Sequence, residues 1–357
     1  MSESGIIRPG QKIKTVTNLE EVEEFVRVLY DLPNFTIVEL NGYDDKNYKI
    51  SIIHEDEKVE EYTFKIMNWM DSKNIPLVEA QNDMMLFLND KGIVCPKPIN
   101  NVHGKYYSME KFASGEHVVR LLNYIPGTIL HQIQPTSQLY YEIGRYVAIL
   151  DDLLKSFYHP VYETRKSIWM LDSIPLLRQF VFAEKCETRK KLIERVILEF
   201  EERVLKVKRE LEQGIIHGDF NEQNILTERK GQEWNLKGIL DFGDTQHSCY
   251  LFEFAIAATY MMVMNKSIDA VGHLLGGYST IRAMPDKEFS LLKTCIAARL
   301  CQSYTLGIYT CLLEPDNPYF TVAAKEGWRL LEILCKEPEE SVMERWKSIK
   351  DSYTKIE

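Results

Sequence analysis

His217-Gly218-Asp219-Phe220-Asn221-Glu222-Gln223-Asn224-Ile225-Leu226, followed a short way along by Gly238-Ile239-Leu240-Asp241-Phe242-Gly243-Asp244, is the part of the chain whose reading decides the fold. The first stretch reads as a loop that runs into the extended segment NILTE (224–228), and the second as the end of the extended segment NLKGILD (235–241). Loops and strand ends let side chains from separate places converge without a helix in the way. The residue types match what phosphoryl transfer requires. A carboxylate must orient a hydroxyl and accept its proton, and an oxygen ligand and a second carboxylate must hold Mg²⁺ against the phosphates. Asp219 supplies the base, and Asn224 and Asp241 supply the ligands.

Working outward from there, the C-terminal side is helical. Apolar periodicity predicts helices near 251–264, 268–281, 287–312, 318–335 and 339–354. Between Gly127 and the motif, Ser137 caps a predicted helix to about Phe157, and 187–212 forms a long charged amphipathic pattern. NILTE and NLKGILD are the only extended segments expected in this half. On the N-terminal side a helix fits 18–31, with Asn18 and Glu21 spaced as a capping box. FTIVEL (35–40), NYKISII (47–53) and EYTFKI (61–66) read as strands, separated by NGYDD and by the charged run from His54 to Glu61. Pro76 opens a helix through Asn89 that Gly92 ends, and HVVRLLNY (117–124) is extended up to the breaker Ile125-Pro126-Gly127. The expected class is α+β and bilobal. It comprises a β-rich N-terminal lobe over 1–122, a hinge over 123–127 and a mostly helical C-terminal lobe over 128–357.

The bulk properties agree with such an enzyme and exclude other classes. The 357 residues are long enough for two globular units. A net charge of −10 makes the chain a poor ligand for nucleic acid and favours cationic partners. The seven cysteines are odd in number and form no CxxC pair, which points to reduced thiols and a cytoplasmic setting. The N-terminal MSESGIIRPGQ lacks the apolar core of a signal peptide, and no stretch is long and apolar enough to predict a membrane span.

The order H-G-D-x-x-x-x-N followed by I-L-D-F-G-D resembles the catalytic and metal-binding motifs of the aminoglycoside phosphotransferase and choline kinase families, which share the protein-kinase fold. The resemblance implies a phosphate-binding lysine at Lys65. Tyr62, Phe64 and Ile66 on that strand point one way into the lobe, so Lys65 points the other way. Glu79 on the next helix is expected to pair with it. The loop Asn41–Asn47 takes the place of the nucleotide-covering loop. It has one glycine instead of G-x-G-x-x-G, and Asp45 or Asn47 would shape it. Asn123 to Ile125 match the hinge whose backbone bonds the purine. His217 is read as orienting the catalytic loop.

Six further stretches are similar to the hydroxylysine kinase branch of that family: GYDDKNY (42–48), VRLLNYIPG (119–127), LYYEIGRYVAILD (139–151), IWMLDSIPLL (168–177), YLFEFAIAATYMM (250–262) and RLCQSYTLGIYTC (299–311). This resemblance implies Mg²⁺-dependent transfer of the γ-phosphate of GTP, or of ATP, to the hydroxyl of 5-hydroxylysine, in lysine and hydroxylysine catabolism. An acceptor with two ammonium groups and a carboxylate asks for carboxylates, aromatic faces and a cation nearby. Asp244, Glu253 and Trp169 are the candidates for the ammonium groups and Arg299 for the carboxylate. The enzyme alternatives are kinases of choline, ethanolamine, homoserine or an aminoglycoside, and the non-enzyme alternative is a pseudokinase binding module. Against a pseudokinase, the lysine, the base and the metal ligands are all present. A protein kinase is disfavoured because helix follows Asp244 too soon for an activation segment.

Overall fold

The computed structural model describes residues 6–11, 13–32, 34–313 and 319–353, and the side chains of 319–324 lie outside that description. The first residue of the helix expected over 318–335 and the last of that over 339–354 also lie outside it. The chain divides into two compact units. One comprises 11–127 with 238–240, and the other comprises 1–10, 128–237 and 241–357.

The smaller unit opens with α1 (Leu19–Tyr30). The Asn18 side chain accepts from the Glu21 N–H at 2.9 Å, as a cap should. The return bond of the capping box is absent, because the Glu21 carboxylate takes the Thr17 hydroxyl at 2.7 Å instead. Strands β1 (Phe35–Leu40), β2 (Lys46–Ile53) and β3 (Val59–Ile66) follow as an antiparallel meander. Then come the short helix α2 (Trp69–Ser72) and α3 (Ile75–Asp90), with Asn74 capping Leu77. Three more strands complete the sheet: β4 (Pro98–Ile99), β5 (Ser108–Phe112) and β6 (Gly115–Asn123). The order is β1-β2-β3-β6-β4, with β5 also on β6. The sequence reading missed β4 and β5. A two-residue strand carries no period, and β5 is set by its pairing with β6.

Alternation decides what each face of this sheet holds. Phe64 and Ile66 on β3, Tyr48 and Ile50 on β2, and Val119 and Leu121 on β6 pack with Val22, Val26 and Leu29 of α1. Lys65 and Arg120 face the other way and are register partners. Arg120 is buried there, donating to Asn82 at 3.0 Å and Gln81 at 2.9 Å on α3.

The larger unit is mainly helical. Its helices are α4 (Ser137–Leu154), α5 (Val161–Thr164), α6 (Glu187–Phe200), α7 (Tyr250–Asn265), α8 (Asp269–Tyr278), α9 (Asp286–Leu313), α10 (Tyr319–Lys336) and α11 (Glu339–Tyr353). The cap of α4 is Thr136, whose hydroxyl accepts from Leu139, and not Ser137 as expected. The long pattern over 187–212 breaks after Phe200 into a wide turn at Glu201–Leu205 and a tight one at Lys208–Glu210. β9 (Ile225–Lys230) and β10 (Glu233–Ile239) are the two expected strands. Three more strands are unexpected: β7 (Thr128–Ile129), which joins β9, and β8 (Gln213–Ile216) with β11 (Gln246–Cys249), which form a sheet of their own. All seven cysteines are free thiols. Among the described residues no helix is long and apolar enough to cross a membrane.

Candidate active site

The two unexpected strands β8 and β11 are what unite the two motifs. They pair antiparallel, with Ile216 opposite Gln246. The loop that leaves β8 at His217 and the loop that enters β11 from Asp241–Thr245 therefore start from the same end of one ribbon. Gly218 lets the two loops touch. It has φ +81°, and a Cβ there would overlap the Asp244 carbonyl. His217 lies beneath, fully buried, with its ring 5.0 Å from that of Phe242, and its Nδ1 accepts from the Asp219 N–H at 3.3 Å.

Asp219 is held on both carboxylate oxygens. Asn224 Nδ2 donates to Asp219 Oδ2 at 2.8 Å and to its carbonyl at 3.0 Å. Arg299 Nη2 donates to Asp219 Oδ1 at 3.3 Å. Asn221 closes the loop by accepting from the N–H groups of Gln223 and Asn224. With its amide nitrogen spent on Asp219, Asn224 offers its amide oxygen as a ligand. Asp241 sits at φ +57°, and its Oδ1 accepts from Gly243 N–H at 3.0 Å. An amide oxygen and a carboxylate are hard donors. Such a pair suits Mg²⁺, which takes one or two protein oxygens and completes its shell with phosphate and water.

The four residues expected around the acceptor fare differently. Glu253 is fully buried, and its Oε2 accepts from the Gly218 N–H at 2.8 Å. It braces the catalytic loop and is out of reach of any acceptor, a correction to its expected substrate role. Arg299 is 1 % exposed and donates to the Trp169 carbonyl at 2.7 Å, to Gln302 at 2.8 Å and to Asp219. It anchors the Asp219 carboxylate with Nη2 and the neighbouring segment with Nη1, which leaves only its buried Nε without a partner. The Trp169 ring lies under that guanidinium, 5.5 Å from its centre, and Tyr260 lies at 5.3 Å. Asp244 keeps a partly open carboxylate, 3.8 Å from Arg165 Nη2.

The local field is negative. Burial, then the charge of Asp219, raises the proton affinity of Asp244. Burial raises Glu253 as well, against the pull of the Gly218 N–H. Glu222 is pushed up to about 7 by burial, with Asp219 adding to the shift. Such a group of carboxyls is relieved by a cation.

In the smaller unit, Lys65 is 5 % exposed and its Nζ lies 2.9 Å from Asp45 Oδ2. Asp45 also accepts from the backbone and side chain of Asn68 at 2.7 Å and 3.0 Å. The expected Lys65–Glu79 pair is not formed, since the exposed Glu79 accepts from the Tyr107 hydroxyl at 3.2 Å. Asn47 reaches the Asn41 carbonyl at 3.4 Å across the loop. At the expected hinge, Asn123 N–H donates to Lys97 and Tyr124 N–H to Glu61, and among the described residues the Ile125 N–H meets no acceptor. The sequence reading did not find Arg165, Glu222 or Gln302. Thr164-Arg165-Lys166 carries no period or motif that would have singled Arg165 out.

Comparison with known proteins shows the family and the fold. The model of the Phosphotransferase enzyme family matches residues 40–288. The chain is 33 % identical over 370 residues to the hydroxylysine kinase of Xenopus laevis, covering 99 % of each. It is 32 % identical over 369 residues to that of Bos taurus, covering 96 % of this chain and 97 % of the other. Among solved structures, the microcompartment-associated aminopropanol kinase superposes with a TM-score of 0.68 at 14 % identity, over 93 % of this chain and 98 % of that one. That likeness speaks to the fold.

Proposed function

The chain belongs to the Phosphotransferase enzyme family, among its hydroxylysine kinases, and we propose that it transfers the γ-phosphoryl group of GTP to the side-chain hydroxyl of 5-hydroxy-L-lysine. That it is a small-molecule kinase acting on a hydroxyl follows from the family. The donor, the acceptor, the place of the reaction in lysine and hydroxylysine catabolism and a cytosolic setting are our reading. The observation that carries the acceptor is the similarity over nearly the whole chain to hydroxylysine kinases. The cluster of carboxyls around Asp219 supports it, because an ammonium group answers the negative field there.

The chemistry assigned to the larger unit is as follows. Asp219 accepts the proton of the acceptor hydroxyl as that oxygen forms its bond to the γ-phosphorus, and the bond from phosphorus to the β–γ bridging oxygen breaks to leave GDP. Asn224 and Arg299 fix the direction of the carboxylate, so the hydroxyl meets a base that does not rotate. The Asn224 amide oxygen and Asp241 would hold Mg²⁺. When bound, Mg²⁺ neutralises charge on the phosphates. In the smaller unit, Lys65 is assigned to the phosphates, with Asp45 and Asn47 shaping the covering loop. Glu79 on α3, Asn123 and the N–H of Ile125 are assigned to the nucleotide side as well.

The test is a coupled assay with GTP and ATP as donors. The acceptors are 5-hydroxylysine, homoserine, choline, ethanolamine and an aminoglycoside. 5-Hydroxylysine with GTP should give the highest kcat/KM. A higher value for any other acceptor removes the substrate assignment, and a higher value with ATP removes the donor.

A further inference from the structure

The acceptor carries a carboxylate, and Arg299, the residue expected to receive it, already gives both its terminal nitrogens to Asp219, Gln302 and the Trp169 carbonyl, so that only its buried Nε is without a partner and no bidentate face is left. A second guanidinium, that of Arg165, has a terminal nitrogen without a partner. The Arg165 side chain is 5 % exposed, and its Nη1 is buried with no hydrogen-bond partner. It faces Asp244, whose Oδ1 is 3.8 Å from Nη2, too far for a hydrogen bond. Buried guanidinium groups ordinarily fill their donors, because an unmet buried charge is costly. The Asp244 backbone meets Gly218, the residue before Asp219, which sets the pair against the loop that carries Asp219.

We propose that Arg165 is the carboxylate receptor of the acceptor site and that, with Asp244, it binds the α-amino-acid end of the substrate as a zwitterion. The arrangement matches the ligand. An α-amino acid carries its ammonium and carboxylate on one carbon, and Arg165 and Asp244 present the opposite charges side by side without bonding each other closely. A guanidinium takes a carboxylate in bidentate fashion, which would fill the empty Nη1. The selected class is then free hydroxy amino acids, and an amino alcohol without a carboxylate leaves Arg165 unmet. This deepens the hydroxylysine reading and rests on it.

The experiment compares 5-hydroxylysine with its decarboxylated counterpart, 1,5-diaminopentan-2-ol, in the full-length enzyme. The wild type should use the diamino alcohol about ten- to a hundredfold less well in kcat/KM, mainly through KM. Arg165→Gln should lose at least about tenfold more on 5-hydroxylysine than on the diamino alcohol, and Arg165→Lys should recover part of that loss. Equal use of both acceptors by the wild type, or equal losses on both in Arg165→Gln, overturns the proposal. If Arg165→Gln does not fold, the wild-type comparison and Arg165→Lys decide. If the wild type phosphorylates no 5-hydroxylysine, the substrate reading falls. The receptor is then judged by titrating the wild type with L-lysine and cadaverine, where tighter binding of L-lysine supports it. No preference, or no binding of either, overturns it.

Discussion

Asp219 has a donor on each carboxylate oxygen, Asn224 on one and Arg299 on the other. An asparagine at 219 can satisfy only one of them, and it cannot take a proton. Asp219→Asn is therefore expected to lower kcat by roughly a hundredfold or more while nucleotide affinity stays within a few-fold. Turnover close to wild type would remove Asp219 from the role of base. The two metal candidates should separate in behaviour. Asp241→Ala removes a ligand, so more Mg²⁺ should restore much of its kcat/KM. Asn224→Ala removes a ligand and also the bonds that orient Asp219, so a kcat defect should persist at saturating Mg²⁺. Titrating Mg²⁺ in steady-state assays distinguishes them, and identical, unchanged metal curves would count against both.

At the scale of elements, α9 is the strut of the segment at Ile168–Met170. From it Gln302, fully buried, donates to the carbonyls of Ile168 at 2.7 Å and Met170 at 3.0 Å, while Arg299 donates to the Trp169 carbonyl between them. One helix thus reaches three consecutive carbonyls of the segment that leads into the turn at Leu171. Gln302→Leu leaves the Ile168 carbonyl without its donor, at a cost of about 1–3 kcal/mol, while the Met170 carbonyl keeps the Ser173 N–H at 2.9 Å. Urea unfolding should show that loss, and the acceptor KM should rise as the segment loosens. A variant as stable as wild type would mean that α9 does not hold the segment. The contact of α4 with α8 depends on a different device. A Cβ at Gly144 would overlap the Leu274 carbonyl, and one at Gly277 would overlap the Tyr141 carbonyl. Backbone meets backbone there, so even Gly277→Ala should push the helices apart and lower Tm by several degrees.

For the whole molecule, stability should carry the mark of a buried acid. Asp151 on α4 is fully buried, and Tyr278 donates to its Oδ2 at 3.3 Å while Oδ1 has no partner. Burial, and then the charge of Glu253, holds its proton affinity well above the ordinary carboxylate range, although Arg282 opposes this. In the pH window above about 4 the unfolded chain releases that proton and the folded chain retains it. The folded state then binds more protons than the unfolded one, so this group's contribution falls as pH rises. Asp151→Asn keeps the acceptor for Tyr278 and has no proton to lose. Its stability should decline less steeply from pH 5 upward than that of the wild type. Urea midpoints measured across pH give the two slopes, and parallel slopes would mean that Asp151 is ionised in the folded protein.

The sequence by itself determined the parts of this protein that are local. Asn18 before an apolar period fixed the start of α1, strand alternation placed Phe64 and Ile66 on one face and Lys65 on the other, and the long helices followed from their periods. The identities of Asp219, Asn224 and Asp241 as candidates were also legible, because their residue types and spacing are written in two short motifs. Tertiary structure alone decided their company. β8 and β11 are four residues each, too short to show a period, and they exist because they pair with one another across the sequence. That pairing sets the two motif loops at one end of a ribbon. Lys65 met Asp45 instead of Glu79, Glu253 turned inward to brace Gly218, and Arg299 bonded the base while a terminal nitrogen of Arg165 stayed without a partner. Which carboxylate a buried cation meets depends on packing between segments far apart in the chain, and no residue encodes that choice in its neighbours.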